Sequence, residues 1–133
     1  MMQKLAWFYA FLFFSVVAIG YIPGFTDDQG LLLGLFKIDL IDDGLHLGSA
    51  LWAACAAWTS RRAAVLYFKG FGTLYSLDAV VGLLTGSGYL DLGIFLHGSV
   101  ALDLGTRIAI NFPHVVIGGG ALVIGFFLSR KFA

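Results

Sequence analysis

Two histidines in this chain follow the same kind of prefix. Asp43-Gly44-Leu45-His46 and Asn111-Phe112-Pro113-His114 each set an imidazole three residues after a short polar side chain. Residues three apart lie on one face of a helix, so Asp43 can meet His46 and Asn111 can meet His114. Three chemistries are open to such a pattern. In the first, Asp43 and Asn111 cap helices, with the histidine where a capping box carries Glu; unpaired N–H groups are costly in apolar surroundings, so such caps are useful. In the second, His46 and His114 share a ligand. It would be a metal, with Asp43 and Asn111 orienting the rings from behind, or a haem or other tetrapyrrole held by two axial imidazoles. In the third, an imidazole near the membrane surface gains and loses a proton and makes the protein pH-responsive. Pro113 suits a first helical turn, where it gives up no bond. His97, in Phe95-Leu96-His97-Gly98, has no counterpart in the first half and is expected at solvent or the interface.

A further polar residue demands a partner. Asp78 sits inside the apolar stretch Ala63–Thr85, which also holds Lys69. A central aspartate costs about 2.5–3.5 kcal/mol on membrane-insertion scales. Lys69 can snorkel to the nearer headgroups. It cannot neutralise Asp78, because nine residues at about 100° each put the two on opposite faces, about 13 Å apart along the axis. His46, His114 and Arg107 remain as candidate partners, and a polar cluster of Asp78 with at least one of the histidines is expected.

The elements that must position these groups follow from composition. Of 133 residues, 59% are hydrophobic and 12% charged, and mean hydropathy is +0.91. A soluble domain of this size needs far more polar surface, so the chain is read as an integral membrane protein whose first partner is the lipid bilayer. Net charge is zero, with 8 basic and 8 acidic residues, which leaves no footprint for nucleic acid. The single cysteine, Cys55, excludes an intrachain disulfide and is expected to be a packing group. The first twenty residues have the anatomy of a signal peptide and are read as a first span.

A bilayer crossing takes roughly 17–25 helical residues. Four stretches qualify, at about 5–22, 44–60, 63–85 and 107–128. The fold expected is all-α, a polytopic protein with four transmembrane helices. Lys4, Arg61, Arg62, Arg130 and Lys131 cluster at one set of ends, and every aspartate but Asp78 lies towards the other. The positive-inside tendency then puts both termini in the cytoplasm. The apolar runs in the two longer loops, LLLGLF and YLDLGIFL, are expected on the outer interface.

The chain also reads as two parallel copies of a helical hairpin, at about 1–60 and 63–128 within one domain. Gly20-x-x-x-Gly24 is echoed by Gly82-x-x-x-Gly86, LLGLF by DLGIF, and Asp43-x-x-His46 by Asn111-x-x-His114. Small residues let helices approach in lipid. The row Ser49, Ala53, Ala57 and the run Gly118, Gly119, Gly120 are therefore expected to make the second and fourth spans a close-packed inner pair, with the first and third outside.

Four spans, the LLGLF run and a polar-x-x-His heading the second and last spans resemble a bacterial family of small multi-pass membrane proteins of unknown function. The resemblance rests on Leu32–Phe36, Asp43, His46, Asn111 and His114 and covers nearly the whole chain; Pro113 and Asp43 depart from its pattern. It implies the four-span fold and a bacterial cytoplasmic membrane, and carries no activity. There is no nucleophile–base pair, phosphate-binding glycine loop or paired catalytic carboxylates in the sequence, so an enzyme is not expected. The function expected is association, as an accessory subunit of a larger membrane complex or a homo-oligomer. The alternatives are a cofactor-binding protein using His46 and His114, and a small transporter or pH-responsive protein.

Overall fold

The computed structural model describes residues 1–37 and 39–131. It is all-helical save for one short hairpin, and it divides into two compact units, Met1–Ala64 and Val65–Ala133.

In the first unit, α1 (Met2–Gly20) buries Met2, Ala6, Tyr9, Ala10 and Phe13, a stripe at helical spacing that packs along α2. Its other side exposes Trp7, Phe8, Phe11 and Phe14. The loop that follows folds into strands β1 (Leu31–Leu32) and β2 (Phe36–Lys37), with Leu32 opposite Phe36. Between them Leu33 and Gly34 take φ of 54° and 68°. Two successive left-handed residues are what the tight hairpin turn requires. α2 (Leu40–Thr59) starts four residues earlier than expected, because Asp39 caps it: its carboxylate accepts from Ile41 and Asp42 N–H, and Asp42 bonds back to the Asp39 N–H. Asp43 therefore lies inside the first turn and does not cap. Ser49, Ala50, Ala53 and Ala57 are buried on α2, and Gln3 Nε2 donates to Ala57 O at 2.8 Å. Cys55 is exposed rather than packed.

The second unit holds most of α3 (Arg61–Thr85), which fully buries Tyr67, Phe68, Phe71 and Asp78. A loop with the short helix α4 (Gly93–His97) leads to α5 (Leu104–Leu122), which runs on through a π-helical turn, Val123–Leu128, into α6 (Ser129–Lys131). α5 begins at Leu104 because Asp103 caps it, accepting from Thr106 N–H at 3.0 Å and Thr106 Oγ1–H at 2.5 Å. Asn111, Pro113 and His114 are thus interior residues of a helix, and the cap expected at Asn111 is overturned by a stronger one upstream. Gly118, expected against the second span, presses on α3, and so does Gly125. A Cβ added at either would come within 2.8 Å of a backbone nitrogen, that of Ser76 or of Lys69. Gly119 would meet nothing within 4 Å and takes no part in this approach.

Among the described residues, two helices, Met2–Gly20 and Leu104–Lys131, are long and apolar enough to cross a membrane. α2 and α3 have the length, at 20 and 25 residues. Asp42, Asp43 and His46 in one, and Lys69 and Asp78 in the other, lower their hydropathy.

Candidate functional site

The site begins with a carboxylate where a carboxylate is expensive. Asp78 is 1% exposed and lies seven residues, about 10 Å, below the end of α3. Burial of this kind is tolerated only when the oxygens are fully engaged. Here Oδ1 accepts the backbone N–H groups of Tyr89 at 2.7 Å and Leu90 at 2.9 Å. Oδ2 lies 2.7 Å from His114 Nδ1. One carboxylate therefore joins α3, the loop after it and α5.

The loop reaches Asp78 by folding back along its own helix. Gly86 makes the turn with φ of 79°. Gly88 then passes so close to the carboxylate that an added Cβ would be 2.9 Å from Asp78 Oδ1. Tyr89 continues the descent, and its hydroxyl donates to Leu74 O at 2.8 Å. The stem of the loop is closed separately. Val100 N–H donates to Thr85 O at 2.8 Å, and Arg107 donates to Leu84 O and Leu102 O at 3.0 and 3.1 Å. Arg107, a candidate partner for Asp78 by sequence, instead satisfies a terminal carbonyl of α3.

α5 presents His114 from its interior. Asn111, one turn earlier, is buried; its Nδ2 donates to Arg107 O at 2.9 Å, and it fills the space that a Cβ at Gly82 would need. Asn111 thus sets the helix spacing and does not orient His114. The Tyr75 ring lies 5.3 Å from the imidazole, centroid to centroid. A carboxylate facing Nδ1 assigns the proton to that nitrogen and leaves the lone pair on Nε2. The ring is buried where it meets Asp78, yet 27% of the side chain is accessible. Chemically this is a buried carboxylate–imidazole pair with one oriented basic nitrogen.

His46 has other surroundings in its own unit. It stacks on Phe13 at 5.8 Å and 25°. Asp43 accepts from the Tyr21 hydroxyl at 2.6 Å, and this bond, then the carboxylate charge, pushes the Tyr21 phenol up from its ordinary value. Tyr21, Asp39 and Asp43 line an open cleft of about 340 Å³. Among the described residues no three His, Cys, Asp or Glu side chains converge to hold a metal. Lys69 Nζ lies 5.2 Å over the Phe126 ring, and His97 is exposed at the end of α4.

No family model, curated protein or solved structure matches this chain. Its chemistry must be read from the site itself.

Sequence reasoning missed the donors from Tyr89 and Leu90, because backbone N–H groups carry no side-chain signature. The two real caps were visible. Asp39-x-x-Asp42 and Asp103-x-x-Thr106 both have the spacing of a capping residue and its reciprocal partner.

Proposed function

We propose that this chain is an integral membrane protein of four crossings, built as two copies of one helical hairpin, and that Asp78 with His114 forms its proton-accepting site. The observation that carries the reading is the buried Asp78 carboxylate 2.7 Å from His114 Nδ1. A proton arriving at Nε2 forms an N–H bond there and turns the imidazole into a cation beside that carboxylate. The pair goes from net −1 to net zero. An intramembrane acid with a histidine partner is the common equipment of proton relays.

Several features support the membrane frame. Two helices have the length and apolarity of spans, and large apolar side chains are also exposed along the others, among them Leu51, Trp52, Leu74 and Leu77. The five basic residues at helix ends favour cytoplasmic termini, in the bacterial cytoplasmic membrane that the family resemblance implies. The copies agree in burial. Setting His46 against His114 pairs Ala50, Ala53 and Ala57 with Gly118, Ala121 and Gly125, and all six are buried.

The test is nitrogen NMR of His114 in the full chain, in lipid nanodiscs, over about pH 5–8, where imidazoles exchange protons. The expected result is a neutral ring protonated at Nδ1 that becomes doubly protonated on acidification, with the Nδ1 preference lost in Asp78→Asn. A neutral ring protonated at Nε2, or one that does not change over this range, would sink the reading. A second reading, association with another membrane protein or a second copy, is favoured by the exposed Trp7, Phe8, Phe11 and Phe14 face of α1. Native mass measurement from nanodiscs tests it; a monomer alone would count against it.

A further inference from the structure

We infer that the segment Gly88–Leu90 is a strap over the buried pair, held by the charge on Asp78 and released when the pair takes up a proton. The inference rests on the proton-accepting reading and names what regulates access to that site.

The strap's attachment to α3 is small and uneven. Two of its bonds end on one carboxylate oxygen, Tyr89 N–H at 2.7 Å and Leu90 N–H at 2.9 Å from Asp78 Oδ1. A third is neutral, the Tyr89 hydroxyl to Leu74 O. Ser87, just before the strap, is tied to the end of α3, Thr85 Oγ1–H donating to Ser87 O at 2.8 Å and Ser87 N–H to Thr85 Oγ1 at 3.2 Å, and belongs to the fixed stem; Ile94 N–H to Gly88 O and Gly93 N–H to Asp91 Oδ1 lie within the loop and move with it. At either side stand Gly86 and Gly98, with φ of 79° and 66°, backbone states in which glycine is unstrained. The rest of the stem is clamped by the Thr85–Val100 and Arg107 bonds. A fixed stem with a tip tied mainly to one titratable group is the construction of a latch.

The direction does not depend on where the proton settles. The two oxygens of Asp78 share one charge. A proton on His114 draws that charge towards Oδ2; a proton on the carboxylate removes it. Either way Oδ1 becomes a weaker acceptor, and bonds to an ionised acceptor are about twice as strong as neutral ones. Other groups face the pair. Tyr75 lies beside His114 from α3. Arg107 on α5 is committed to carbonyls. On the loop, the Tyr89 hydroxyl is bonded and Asp91 Oδ1 would lie 3.2 Å from a Cβ at Gly88. Asp91 therefore brings a second negative charge to the same spot and needs its own control. Lifting the strap uncovers Asp78 on the side of the loop, so proton uptake and access to the site are linked.

Amide hydrogen exchange of the full chain in nanodiscs, corrected for intrinsic rates, reads the latch directly. In the wild type, protection of the Tyr89 and Leu90 amides should fall from pH 8 to pH 5 by less than the roughly tenfold that separates a charged from a neutral acceptor, because the carboxylate stays ionised beside the imidazolium. Amides of Phe71 to Tyr75 in α3 should stay protected. His114→Gln keeps an N–H for Oδ2 and takes up no proton, so protection should remain high at both pH values. Asp78→Asn should be low at both. Asp91→Asn should keep the pH dependence; if it abolishes it, Asp91 is the switch and the inference fails. Flat wild-type protection while His114 itself gains a proton by NMR overturns the strap and leaves the proton site standing. A His114 that takes up no proton removes the proton site, and the strap with it.

Discussion

His46 and His114 carry the same spacing in sequence and end in different chemistry. His46 stacks on Phe13; His114 lies against Tyr75 and is bound to Asp78. Setting Gly20 against Gly82 brings Phe13 level with Tyr75, so both histidines meet the aromatic at the same place in their hairpin. The same alignment brings Val16 level with Asp78. At that level the second hairpin carries the carboxylate that His114 binds, and the first carries a valine. The loops differ to match: the first closes as a hairpin on itself, while the second folds back and gives two N–H groups to the carboxylate. A histidine motif alone does not define a site; the residue across from it does.

The largest test of this contrast removes each partner. Asp78→Ala leaves the Tyr89 and Leu90 N–H groups and the His114 ring without their acceptor, and His114→Ala leaves a buried carboxylate short of a partner. Either should cost about 3–5 kcal/mol, as breaking a buried pair does. His46→Ala removes a half-buried ring that stacks on Phe13 and should cost less, about 1–3 kcal/mol. Unfolding of the three variants in detergent measures the gap; equal losses at His46 and His114 would end the distinction.

The next test concerns how closely each hairpin closes. Gly118 and Ala50 are matched positions, but the glycine lies against the Ser76 backbone with no room for a Cβ. Gly118→Ala should therefore cost about 1–3 kcal/mol through overpacking. Ala50→Gly, which loses helix propensity and a buried methyl, should cost about 1 kcal/mol. The same unfolding assay decides it, and a harmless Gly118→Ala would show that the two helices can separate freely.

How much of this was legible depends on which groups do the work. The apolar helices could be read from length and hydropathy, although only two of them pass that test without their polar residues being discounted. That Asp78 needed a partner was readable from the reach of Lys69, and His114 was among three candidates. The small residues marked close packing, but not which helix they would meet: Gly118 and Gly125 approach α3, since adjacency along the chain outweighs similarity between the rows. The strap was not readable at all. It depends on backbone N–H groups and on glycines whose value appears only when the chain turns back. The caps were misplaced by four residues in one case and eight in the other, because the eye goes to the aspartate or asparagine beside a histidine and not to the one that meets the free N–H groups.

A smaller contrast lies in a feature the loops share. Leu33 and Leu92 both take left-handed backbone, with φ of 54° and 64°, just before a glycine. That state costs a branched side chain roughly 1–2 kcal/mol, and asparagine tolerates it better. Leu33→Asn and Leu92→Asn should each stabilise by roughly 0.5–1 kcal/mol in the same melts. Opposite signs at the two positions would mean that the shared geometry serves unlike purposes.

The smallest effect is pH-dependent and sits at the start of α5. The Thr106 hydroxyl, then its N–H, holds the Asp103 carboxyl below its ordinary value. A carboxyl lowered by folding stabilises the native state above its unfolded value, about 3.9; that contribution is lost as pH falls through the lower folded value. Protection of the Thr106 amide should accordingly drop on acidification below about pH 4. Asp103→Asn retains an acceptor for that N–H but cannot take up the proton, so its Thr106 protection should be flat. This response lies at a lower pH than the one expected at Tyr89 and Leu90, so a single exchange series from pH 8 to pH 3 separates the cap from the strap. If both segments lose protection together, and do so in Asp103→Asn as well, the acid response is a global loosening of the second unit, and neither carboxylate acts locally.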